Sequence, residues 1–99
     1  MIVLKGVLRE SRQYYLDIKR RIERRLVNLP KGSVKERIIS GRKYYYLQQR
    51  VGGKVVHKYL GSKRPEALMK DVRARVKLKR QLREVNEALR LLQRVGGKS

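Results

Sequence analysis

The sequence predicts an α+β domain in which a three-stranded antiparallel β-meander is flanked by an N-terminal helix and a long C-terminal helix. Apolar residues recur at three- and four-residue spacing over residues 1–29 and again over 65–95. Between them, over 33–61, runs rich in Val, Ile and Tyr are separated by Ser40-Gly41 and Gly52-Gly53. The 99 residues suffice for one domain with a modest core, whereas two domains would each bury too little apolar surface, so 1–99 is read as a single domain.

In the first stretch Leu8, Tyr15, Ile18, Ile22, Leu26 and Leu29 form one apolar stripe, and Pro30 and Gly32 close the helix. Gly6 is a candidate break, and Met1–Leu4 either extend the helix or form a short strand. The middle stretch reads as strands at 34–40, 43–50 and 54–60, because a Gly-Gly pair between two such runs signals a two-residue hairpin turn. The last stretch opens with Pro65, which suits the first helical position, and Glu66, which complements the helix dipole. Leu78, Leu82, Val85, Leu89 and Leu92 then repeat at 4-3-4-3 spacing until Gly96 and Gly97. Leu68, Val72 and Val76 make an earlier face, rotated from the later stripe. That shift predicts two contacts: the early half against the sheet, the later half against another helix. The partner is either the first helix or a second subunit, and a homodimer through the C-terminal helix is one expectation. Both helices are expected to pack against one face of the sheet.

Charge narrows the function. Twenty-eight Lys and Arg face eight Asp and Glu, a formal +20. A compact chain with that charge repels itself unless a polyanion neutralises it. Charge enrichment of the thermophile kind raises Lys and Glu together, and here the acids are missing. Segment 30–61 is the least neutralised, with eight basic residues, one acidic residue and a net +7. An anionic membrane suits less well, since the apolar residues of the C-terminal helix are needed for a core and no Trp or Phe is present as an anchor.

Catalysis and cofactors are not expected. Without cysteine there is no disulfide and no thiolate metal site. Glu36, Glu66 and Asp71 are scattered, and His57 is the only histidine, so neither a metal nuclease nor a catalytic triad assembles from the sequence. The segment LPKGS, residues 29–33, lacks the Gly-rich spacing and Lys-Ser/Thr ending of a phosphate loop. The apolar stretch in MIVLKGVLRE is too short for a signal peptide or a spanning helix, which gives a cytoplasmic expectation.

Counting back from Gly52-Gly53 pairs Arg50 with Val55, Gln48 with His57, Tyr46 with Tyr59 and Tyr45 with Leu60. Side chains alternate across the pleat. One face then carries Lys35, Arg37, Ile39, Tyr44, Tyr46, Gln48, Arg50, Val55, His57 and Tyr59. The other carries Val34, Glu36, Ile38, Tyr45, Leu47, Gln49, Val56, Lys58 and Leu60, and being more aliphatic it is assigned to the core. A three-residue loop at Gly41 would flip the first strand. The candidate nucleic-acid-binding residues are therefore Lys35, Arg37, Tyr44, Tyr46, Gln48, Arg50, His57 and Tyr59, with Arg42, Lys43 and Lys54 beside the turns. Arg and Lys meet phosphates, and Tyr donates its hydroxyl or stacks on an unpaired base. Gln48 or Arg50 reach base edges if the sheet enters a major groove. Tyr45 is read as strand filler. Arg73, Lys77 and Arg80 form a basic side of the C-terminal helix, relieved by local pairs such as Asp71–Arg75 and Arg83–Glu87.

The string GRKYYYLQQRVGGKVVHKYLG, residues 41–61, resembles the three-stranded DNA-binding sheets of tyrosine-recombinase integrases and of transposon-encoded proteins. The resemblance rests on Tyr44-Tyr45-Tyr46, Arg50, the Gly52-Gly53-Lys54 turn and Tyr59-Leu60-Gly61. The wider stretch LPKGSVKERIISGRKYYYL is also similar to short archaeal and bacterial proteins with no settled role. The integrase resemblance implies a sheet lying in the major groove, with contacts from Arg37, Tyr44, Tyr46, Gln48 and Arg50. The expected function is non-enzymatic DNA binding, as an accessory or regulatory factor of a mobile element or of transcription. Two alternatives stand beside it: an RNA-binding or ribosome-associated protein, and a helix-mediated interaction module whose charge serves solubility.

Overall fold

A computed structural model of the protein describes residues 2–96. Helix α1 spans Ile2–Val27, followed by strands β1 (Ser33–Ile39), β2 (Arg42–Val51) and β3 (Lys54–Gly61) and by helix α2 (Glu66–Gly96). The strands form one antiparallel sheet in the order β1-β2-β3. This is the expected α+β arrangement. Met1 and Gly97, to which the sequence reading also assigned roles, lie outside the described residues.

Local chemistry explains the boundaries. α1 runs through Gly6 without a break. At its end the Asn28 N–H donates to the Arg25 carbonyl at 3.2 Å, a tightened last turn, and Arg24 and Arg25 sit where the dipole favours cations. Pro65 stands just ahead of α2 and not at its first position: its carbonyl accepts the Met69 N–H at 2.9 Å. Glu66, in the first turn, pairs with Arg64 Nε at 2.7 Å.

The chain divides into two compact units. α1 and Asn28 group with the later part of α2, from Lys77 onward; the sheet groups with residues 29–32 and the earlier part of α2, up to Val76. The rotation between the two apolar faces of α2 follows this division. Val72 is buried in the sheet unit, while Leu78 and Val85 are buried in the helical unit. α1, expected on the sheet and also as one of two partners for the later stripe of α2, groups with that later part.

In the helical unit Leu8 and Leu92 line the same cavity, so the start of α1 lies beside the end of α2 and the helices are antiparallel. Fourteen residues onward in α1 and fourteen back in α2 bring Ile22 level with Leu78, both buried. Equal rise per residue then sets Tyr15 level with Val85.

In the sheet unit both hairpins have two-residue turns. Ser40, Gly41, Gly52 and Gly53 all have positive φ (52°, 78°, 56° and 80°), the type I′ geometry whose twist matches the flanking strands. Because both turns hold two residues, the expected parity stands, and Tyr45 and Leu47 are buried on the same face of β2. One expected pair is corrected. Tyr45 pairs with Gly61 rather than Leu60, across a bulge beside Tyr46, and Gly61 supplies the φ of +107° that an L residue resists. Gly32 has no substitute: its φ is +121°, and a Cβ there would meet the Gln48 carbonyl oxygen at 2.5 Å. Gln49 Nε2 donates to the Lys31 carbonyl at 2.7 Å, fastening this connection to β2.

Among the described residues the side-chain ion pairs are Arg20–Asp17, Lys43–Glu36 and Arg64–Glu66. The pairs expected at Asp71–Arg75 and Arg83–Glu87 do not form. For the exposed Arg83 and Glu87 the absence is cheap, since such a pair gains little over the entropy of fixing two long side chains; Arg75 is half-buried, and its Nε is buried without a hydrogen-bond partner.

Candidate nucleic-acid interface

The outward face of the sheet is built from rungs. Lys35, Tyr46 and Tyr59 are opposed in the middle rung; Arg37 and Tyr44 form the next toward the first turn, and Ser33, Gln48 and His57 the next toward the second. Ile39–Arg42 and Arg50–Val55 complete the face at its two ends. From Arg42 to Arg50 this face runs roughly 26 Å at ~3.3 Å per residue.

Side-chain contacts hold the middle of the face together. The Tyr59 ring lies 5.4 Å from Tyr46 and 6.2 Å from Tyr44, tilted by 55° and 44°. The Arg37 guanidinium sits over the Tyr46 ring at 5.2 Å. Tilted aromatic pairs contribute about 0.5–1.5 kcal/mol each, and an exposed cation–π contact about 0.5–1 kcal/mol. These contacts hold Arg37, Tyr44, Tyr46 and Tyr59 together on the outward face. Tyr44 and Tyr46 are half-buried by these neighbours, whereas Tyr59 is 56% exposed.

The charge on this face is one-sided. Lys35 and Arg37 lie on β1, with Arg42 and Arg50 toward the ends of β2. The outward residues of β3 are Val55, His57 and Tyr59, with no Lys or Arg among them. No carboxylate shares the face, because Glu36 points to the opposite side, 3.6 Å from Lys43 Nζ. The positive potential is thus not neutralised locally.

The structure brings together Lys35, Arg37, Arg42, Tyr44, Tyr46, Gln48, Arg50, His57 and Tyr59. It leaves out Lys43 and Lys54, which project from the other face. Parity explains the split: across the first turn the flanking pair Ile39–Arg42 faces outward, and across the second Val51–Lys54 faces inward. Two residues of consequence escaped the sequence reading. Ser33 joins the Gln48–His57 rung, a placement that the same parity rule carries once β1 starts one residue earlier. Gln49 anchors the connection before β1 and had no local signal, since its partner is a backbone carbonyl 18 positions away. Along α2, Arg73, Lys77 and Arg80 are exposed.

Among the described residues no group of three or more His, Cys, Asp or Glu is placed to hold a metal ion. No helix among them is long and apolar enough to cross a membrane. Residues 12–74 match the family model described as a domain of unknown function, DUF6788. Comparison with curated proteins and with solved structures gives no match.

Proposed function

The chain belongs to the DUF6788 family, and from that premise, which brings no activity with it, we propose a non-enzymatic DNA-binding protein whose outward sheet face contacts the phosphate backbone. The observation that carries the reading is a Tyr–Arg cluster ringed by cations with no carboxylate on the same face. Phosphates meet Lys35, Arg37, Arg42 and Arg50; Gln48, His57 and the tyrosine hydroxyls offer further hydrogen bonds. DNA is favoured over RNA because the Tyr-rich hairpin resembles DNA-binding sheets, and a cytoplasmic location suits that partner. A homodimer through α2 would use Leu91 and Val95, which are 53% and 64% exposed, because Leu78 and Val85 are already buried within the chain.

The test is binding of the purified chain to labelled duplex DNA, single-stranded DNA and structured RNA across a salt series. Affinity is expected to fall with log salt at about −0.9 per neutralised phosphate on a duplex and about −0.7 on a single strand. A preference for structured RNA moves the assignment to the RNA-binding alternative. No binding at ~100 mM salt, where the Debye length is ~10 Å, overturns the reading and leaves the charge as a solubility feature. Replacing Arg50 and Tyr46 by Ala should weaken binding more than replacing Arg90 and Arg94, and equal losses would count against a sheet-centred interface.

A further inference from the structure

We infer that the ligand of this face is a single strand with unpaired bases, its phosphates running along β1 and its bases lying over β2 and β3. The inference rests on the nucleic-acid reading above and goes beyond it by naming the form of nucleic acid. Its first support is the segregation of side chains across the sheet. In the two rungs nearest the centre, the cations Lys35 and Arg37 belong to β1, and the rings Tyr44, Tyr46 and Tyr59 belong to β2 and β3. A duplex groove is bounded by two rows of phosphates, about 12 Å apart in the major groove. A sheet lying in it would want cations along both margins. Here β3 turns its two lysines, Lys54 and Lys58, to the other face, and its outward residues carry none. One margin matches one backbone.

Spacing points the same way. Successive rungs on one face are roughly 6.6 Å apart at ~3.3 Å per residue. Bases stacked in a duplex are only ~3.4 Å apart along the axis, so bases seated one to a rung are unstacked from one another. The rings also suit unpaired bases. Groove edges are read by donors and acceptors, whereas an unpaired base offers a π-face that any aromatic ring can stack against. Tyr59 is the open ring: Tyr44 and Tyr46 prop it from β2, and Arg37 occupies Tyr46.

The experiment is fluorescence anisotropy of the full chain with three labelled probes at one salt concentration. They are an oligothymidylate of about 12 nucleotides, within the ~4–16-nucleotide range of single-strand sites, an abasic deoxyribose-phosphate oligomer of equal length, and a duplex of equal length. The oligothymidylate should bind most tightly and the abasic oligomer about tenfold more weakly, since one stacked base contributes ~1–3 kcal/mol and ~1.4 kcal/mol is tenfold. Tyr59→Ala should lose about tenfold on the oligothymidylate, by the same single-base value, and little on the duplex; Tyr59→Phe, which keeps the ring, should restore the affinity. Tighter duplex binding, or equal affinity for the thymidylate and abasic probes, overturns the single-strand inference while leaving DNA binding intact. The probe comparison uses the unaltered chain, so it decides the matter even if Tyr59→Ala misfolds. Failure to bind any of the three sinks the proposed function itself.

Discussion

Residues 29–76 and the remainder of the chain each carry a formal charge of +10, thirteen basic against three acidic side chains in the first and fifteen against five in the second. The difference between the two units lies in arrangement. In α1 the cations are interrupted by Glu10, Asp17 and Glu23, and Arg20 reaches Asp17 at 3.9 Å. On the sheet, strand parity sorts the lone acid, Glu36, to one side and a row of cations and rings to the other. Net charge alone is the same in both units; only the sheet turns it into a surface with direction. The comparison can be broken wherever a change in one unit fails to act as its own architecture requires.

The largest expected effect is in the helical unit. Leu78→Ala removes one of its buried side chains and should cost about 3 kcal/mol of stability, the usual range for a buried Leu truncation. Urea unfolding followed by circular dichroism measures it. Nucleic-acid affinity, taken where the variant is still folded, should not change. A parallel loss of affinity would show that binding draws on the helices as much as on the sheet.

Next come two glycines that look alike in sequence. Gly32→Ala forces a Cβ toward the Gln48 carbonyl at a φ of +121° and should destabilise by about 2 kcal/mol. Gly6→Ala sits in the interior of α1 with nothing within 4 Å of the new Cβ, and should stabilise by about 1 kcal/mol. Thermal melts of both variants give the pair of signs, and a stable Gly32→Ala would mean that the connection before β1 is not held by that close approach.

These glycines mark how far the sequence could be read. The switch from helical to alternating periodicity, with Gly52-Gly53 between strands, made the meander legible, and two-residue turns preserved the parity that placed Tyr44, Tyr46 and Tyr59 together. The bulge opposite Tyr45 was not legible, because it depends on the backbone angle of Gly61 and leaves the composition of the strand unchanged. The partner of α1 was legible only as one of several choices. An apolar stripe says that a helix needs cover, and both the sheet and the later face of α2 could have supplied it. Lys43 and Lys54 were misplaced for a simpler reason: nearness to a turn was taken as exposure on the binding face, whereas parity governs turn-flanking residues too.

A matched pair of charge reversals tests arrangement against net charge. Lys35→Glu with Arg37→Glu changes the formal charge as much as Arg9→Glu with Arg12→Glu does. The first pair should lower oligonucleotide affinity at least about tenfold and flatten the salt slope by roughly 1.4, the value for two phosphate contacts on a single strand. The second pair, on α1, removes only long-range attraction, so its effect should shrink toward nothing as salt shortens the ~10 Å Debye length. Equal effects at every salt would mean that the protein binds as a diffuse cation.

The smallest expected effect separates the two faces of the sheet. Glu36→Gln deletes the only acid in residues 30–61 and breaks its 3.6 Å pair with Lys43. Both partners reach solvent, with side chains 62% and 40% exposed, so stability should move by no more than about 0.5 kcal/mol. Glu36 lies across the sheet from the Tyr cluster, and its influence on a ligand there passes only through the general field. Affinity should therefore rise slightly at low salt, and the rise should vanish as ionic strength approaches ~1 M, where the Debye length is ~3 Å. A large gain that survives high salt would place phosphates beside Glu36, Lys43 and Lys54, on the face assigned to the core, and would reverse the assignment of the two faces.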